Sequence, residues 1–183
     1  MLGFGEPVLY GKMGCLSGRI KMKKFAALLA VLGSLAIVSS ASAQDIKSGL
    51  VGLWKLTGHG NKNPSTGAIE HPRGQHPGGY QLFSKDGHHM FVMFDENRKK
   101  PSGPPSNPDK VALFDSMISY AGTYKVEGNK VLIHIEHDAS QQVQIDRTYV
   151  VELAGNKMTL TAEPFTDAAG RRIISIRSFE RLE

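Results

Sequence analysis

From Leu50 to Leu182 the chain alternates short strand-like runs with tight turns, and no other feature constrains its fold as strongly. The first run, Leu50–Thr57, contains Gly52-Leu53-Trp54-Lys55-Leu56, and a short strand opened by Gly-x-Trp is the mark of a small barrel. Gly79–Ser84 and His88–Phe94 flank Lys85-Asp86-Gly87, whose Asp-Gly predicts an antiparallel hairpin. Ala121–Val126 and Lys130–His137 are joined by Glu127-Gly128-Asn129, and Ile145–Leu153 and Lys157–Ala162 by Ala154-Gly155-Asn156. Ile173–Leu182 ends the series, which makes about eight strands. Tight turns favour antiparallel pairing, and closing the sheet removes its exposed edges. The expected fold is all-β, an antiparallel barrel with one short helix packed on it. A barrel of about eight strands has room for packed side chains or one small ligand.

Two segments interrupt the strands. Gly58–Gly78, rich in Gly, Pro, Asn and His, reads as a long loop with a short strand at Ala68–His71. Asp95–Ser106, with Pro101, Pro104 and Pro105, is a polar loop that ends at Asn107-Pro108-Asp109. Asn as N-cap, Pro at the first helical position and an acid in the first turn predict a helix to about Ser119. Val111, Phe114, Met117 and Ile118 fall on one face of it, and its shortness demands that it dock.

The first 43 residues read as a leader. Lys21, Lys23 and Lys24 precede an uncharged apolar run, Phe25–Val38, followed by small residues ending at Ala41-Ser42-Ala43. That is the pattern of a secretory signal peptide, too short for a permanent anchor. Met22 makes a better start than Met1, so residues 1–21 read as an over-extended start. The expected location is periplasmic or secreted. Residues 44–183 form a single domain with 17 bases against 16 acids, so the basic character of the whole chain belongs to the leader. A near-neutral body without a basic aromatic run excludes nucleic acid as a partner. Cys15 leaves with the leader, and neither a disulfide framework nor a thiol nucleophile remains.

Several short motifs keep a characteristic order. They are Gly52-Leu53-Trp54, Gly79-Tyr80 leading to Asp86-Gly87, Tyr120-Ala121-Gly122-Thr123-Tyr124, and His134-Ile135-Glu136. Arg147, then Leu153-Ala154-Gly155-Asn156-Lys157-Met158-Thr159-Leu160, and finally Phe179-Glu180-Arg181 follow. Together they resemble the bacterial lipocalin-like domain family, a relative of the lipocalins and fatty-acid-binding barrels; Phe179 stands where the family usually has Trp. The resemblance implies a calycin-type barrel with a pocket. It further implies a closed end built on Gly52, Trp54 and Arg181, the guanidinium lying over the indole face.

Alternation selects the residues that would face the pocket. Placing Val151 and Leu153 inward puts Arg147 and Tyr149 on the same face, where they would clamp a ligand carboxylate. The alternative for Arg147 is pairing with Glu136 or a place at the rim. Tyr80, Leu82, Met90, Val92, Phe94 and Tyr124 are candidates for the wall, or for a solid core. His134 is a candidate polar group of the cavity, unless Val131, Ile133 and Ile135 take the core and turn His134 and Glu136 to solvent. His88-His89 and His134-x-x-His137 do not converge on one face of a strand, so neither a metal site nor a cofactor is expected.

The function expected is binding or carriage of a small hydrophobic molecule, with a carboxylate-bearing ligand as one form of it. One alternative is a cyclase, isomerase or dehydratase that uses His134 with Glu136 or Tyr124 for proton transfer. The other is a protein-binding or inhibitor barrel acting through the loops Gly58–Gly78 and Asp95–Ser106.

Overall fold

The computed structural model describes residues 43–139, 146–167 and 169–182. Residues 1–42, which hold most of the expected leader, Cys15 and Ile145 lie outside the described residues. The elements in chain order are α1 (Ala43–Leu50), β1 (Gly52–Lys62), β2 (Ile69–Glu70), β3 (Gly78–Phe83), β4 (His88–Phe94) and α2 (Asn107–Asp115). They continue with β5 (Met117–Glu127), β6 (Lys130–Asp138), β7 (Asp146–Ala154), β8 (Lys157–Ala162), β9 (Phe165–Thr166) and β10 (Arg172–Arg181). Each long strand pairs antiparallel with its neighbour in the order β1-β3-β4-β5-β6-β7-β8-β10, and β10 returns to β1. An eight-stranded barrel results, with β2 and β9 as short ribbons on β1 and β10. Among the described residues no helix is long and apolar enough to cross a membrane.

Closure begins at a glycine. Gly52 has φ 139°, a region only glycine occupies without strain, and there the chain leaves α1 and enters β1. The sequence reading did not anticipate α1. Its Ile46 and Leu50 are buried and it packs against β5 and β7, closing one end of the barrel. Trp54, Phe83, Met158 and Phe179 are buried within the barrel.

Two irregularities set the inner face. β1 bulges between Leu56 and Gly58, so Trp54 and Leu56 point inward before the bulge and His59 after it. Such an extra residue re-aims every side chain that follows. β5 and β6 shift register at Gly122, where a Cβ would stand 1.9 Å from the His134 carbonyl oxygen, so no other residue fits.

The hairpin β3–β4 corrects the expected wall. Gln81, Phe83, His89, Phe91 and Met93 face inward, while Tyr80, Leu82 and Met90 are 46, 38 and 59 % exposed on the outer face. Val92 and Phe94 are half-buried on that same outer parity. Both faces of this hairpin are apolar, so alternation names two sets but not the inner one; the bulky rings Phe83 and Phe91 decide it.

The helix α2 is also corrected. Its N-cap is Ser106, whose side chain and that of Asp109 exchange hydrogen bonds with each other's backbone. It stops at Asp115, because Met117 and Ile118 pair with Phe94 and Met93 as the start of β5. None of its residues is buried; Val111 is 60 % and Phe114 49 % exposed.

Candidate functional site

The inner face of β10 orders the interior. Arg181, Phe179, Arg177, Ser175 and Ile173 follow one another from the end closed by α1 toward the other end. At the closed end the Arg181 guanidinium lies 4.1 Å from the Trp54 ring centre and donates to the carbonyls of Val51, at 2.7 Å, and Gly49. Trp54 Nε1 donates to the Leu50 carbonyl at 2.8 Å, so these carbonyls at the C-terminal end of α1 are partnered.

Away from α1 the barrel holds a cavity of about 620 Å³. His59, Tyr120, Ile135, Tyr149, Ser175 and Arg177 line its floor, and Arg73, Asp95, Phe114, Arg147 and Phe165 are among the residues at its mouth. Arg177 is 8 % exposed and donates from Nη1 to Tyr120 Oη at 2.5 Å. Its guanidinium sits 4.3 Å from the centre of Phe91, 5.4 Å from Tyr149 and 5.8 Å from Tyr120. Its Nε has no partner, and among the described residues no carboxylate forms an ion pair with it. Burial opposes the charge, but the hydroxyls of Tyr120 and Tyr149 hold the Arg177 pKa above its ordinary value. Burial pushes the Tyr120 hydroxyl up, so it stays protonated.

His59 is the second polar group of the floor. Its Nε2 lies 3.3 Å from Ser175 Oγ, and its Nδ1 has no partner among the described residues. Burial first, then the charges of Arg177 and Arg73, lower its pKa to about 4, so the imidazole is neutral at pH 7. His89 is likewise brought to about 4, chiefly by burial, and its Nδ1 lies 3.4 Å from Gln81 Nε2. The mouth carries charges of both signs, among them two ion-paired groups: Arg73 meets Asp95 at 2.5 Å, and Arg171 meets Asp167 at 2.8 Å and Glu70 at 3.0 Å.

The expected clamp residues share this cavity. Tyr149 is buried on the floor, whereas Arg147 is half-buried at the mouth with its guanidinium 4.5 Å from the Phe165 ring centre. His134 and Glu136 face outward because Val131, Ile133 and Ile135 take the core, and His134 Nδ1 lies 2.7 Å from Asp146 Oδ1. Tyr124 is inside but its hydroxyl donates to the Ser84 carbonyl at 2.7 Å. The three groups of the acid–base alternative therefore do not converge. Tyr80 and Met90 look outward and Val92 shares their parity. Among the described residues no three His, Cys, Asp or Glu lie together as metal ligands would.

Sequence reasoning missed Arg177, Tyr120, His59 and Ser175. A signal for Arg177 existed: it stands four residues before Arg181 on one strand, and period-two alternation puts both on one face. Tyr120 was masked by the over-long helix and His59 by the bulge. No curated protein matches the chain. The family model for the lipocalin-like domain matches residues 51–172, which take in β1 to β9 and stop short of α1 and of Ser175, Arg177 and Arg181 on β10. With its closed eight-stranded barrel and that match, the chain belongs to the lipocalin-like domain family.

Proposed function

We propose that this is an exported protein whose barrel binds a small apolar molecule through a carboxylate head group held by Arg177. The single observation that carries the reading is a buried guanidinium that lies on the floor of a cavity and, among the described residues, has no carboxylate partner. Burying an unpaired charge is costly, and a ligand carboxylate would supply the missing partner through charge-assisted hydrogen bonds. The Tyr120 and Tyr149 hydroxyls flank the head group, while Ile135, Ile173 and Phe165 give the tail an apolar wall. Arg147 at the mouth is a second cation that attracts the anion toward the opening. The leader pattern in residues 22–43 supports a periplasmic or secreted location.

Isothermal titration with decanoic acid tests the site. Arg177→Met is expected to weaken binding by at least about thirtyfold, whereas Arg172→Gln, on the outer face of β10, leaves it as in the wild type. Equal affinity of Arg177→Met and wild type would overturn the reading. Native mass spectrometry of protein purified from its own compartment identifies the natural occupant.

A further inference from the structure

The neighbours of Arg177 say more about the ligand, on the reading that Arg177 holds its head group. Ser175 stands two residues before Arg177 on the inner face of β10, hence roughly 6–7 Å along the strand toward the mouth. A tail that leaves the guanidinium for the mouth passes Ser175 first. On β1, His59 pairs in register with Arg177 and reaches Ser175 diagonally, and its side chain faces inward only because of the bulge between Leu56 and Gly58. His71 Nδ1 lies 2.7 Å from the His59 carbonyl oxygen, which ties the loop after β1 to this strand.

Both side chains are buried, at 7 % exposure for His59 and 3 % for Ser175, and both line the cavity. They bond to each other at 3.3 Å; the imidazole Nδ1, without a partner among the described residues, is closed off from the cavity, while the hydroxyl retains a second site. Purely apolar tails would leave this capacity unmet, at the cost that buried polar groups incur when unpaired. We infer that the ligand is an acid carrying a hydroxyl or oxo oxygen a few carbons from its carboxylate, and that the Ser175 hydroxyl, oriented by His59, binds this oxygen. The neutral state of His59 fits a neutral partner that accepts or donates, and gives a second carboxylate no cation at this point.

The test compares decanoic acid with its hydroxylated isomers, the hydroxyl moved along the chain from the second carbon to the eighth, by isothermal titration on the full mature protein. One isomer from the middle of that series is expected to bind about tenfold more tightly than decanoic acid, the gain of a buried hydrogen bond. In Ser175→Ala and in His59→Phe the ratio of the two dissociation constants is expected to fall toward one. A wild-type ratio below about twofold for every isomer overturns the inference while leaving the Arg177 site standing. A large ratio that survives both substitutions overturns it as well, by placing recognition elsewhere. Absence of binding by decanoic acid and all isomers removes the carboxylate site and this inference with it.

Discussion

Arg181 and Arg177 sit four residues apart on the same face of one strand, yet they meet opposite fates. Arg181 covers the Trp54 indole and donates to the carbonyls of Gly49 and Val51. Arg177 lies deeper, held by aromatic rings and one tyrosine hydroxyl, with its Nε unpartnered and a cavity in front of it. The difference lies in what each end of the barrel offers. At the closed end the last turn of α1 exposes carbonyls that need donors. Around Arg177 stand ring faces and one hydroxyl, and among the described residues no carboxylate pairs with it. The same residue type on the same face thus holds carbonyls at one end and is left facing a cavity farther along the strand.

Removing the closed end should have the largest effect. Trp54→Ala is expected to cost about 3–5 kcal/mol in urea unfolding, since it removes a fully buried ring and the surface Arg181 rests on. A loss under about 1 kcal/mol would deny the indole its structural role. The two arginines should then separate in sign. Arg181→Met is expected to lower stability by about 1–3 kcal/mol because it orphans carbonyls. Arg177→Met is expected to leave stability unchanged or raise it by about 1–4 kcal/mol, since an unpaired buried charge is replaced by an apolar chain of similar size. Equal losses from both substitutions would erase the contrast between the ends.

Acid sharpens the contrast further. His59 and His89 have folded pKa values of about 4 against an ordinary 6.5, so the unfolded chain binds protons more readily between those limits. Their contribution to stability is complete above pH 6.5 and is lost as the pH falls toward 4. The thermal midpoint should therefore decline across that window, and His59→Gln with His89→Gln together should flatten it. An unchanged slope in the double variant would mean these rings are protonated as easily folded as unfolded. The smallest effects belong to the outer wall: Tyr80→Ser and Met90→Ser should each shift stability by no more than about 0.5 kcal/mol and leave ligand affinity alone. A clear loss of binding in either would return these side chains to the interior.

The barrel was legible because its signals are local. Asp86-Gly87 and Gly128 lie in the turns of the hairpins expected there, and the Gly52-x-Trp54 opening led to the Trp54–Arg181 contact. The site was legible only where alternation was unambiguous. On β7 the reading placed Tyr149 and Arg147 on the cavity side, and there they lie. On β3 and β4 both faces are apolar, and the choice fell on the wrong one, Tyr80 and Met90 in place of Phe83 and Phe91. The helix was drawn too long because Met117 and Ile118 satisfy helical spacing as well as strand pairing, and the bonds offered by β4 took them.

What the sequence by itself determined is the class of object: strands of the right length and turn chemistry to close a small antiparallel barrel, because backbone conformation at a turn depends on the residues in that turn. Only the tertiary structure decided which side chains share the interior. A bulge in β1 turns His59 inward, and the return of β10 onto β1 sets it against Ser175, beside Arg177 on the same strand. Facing is a property of paired strands and their register, and register is settled by neighbours far away in the chain.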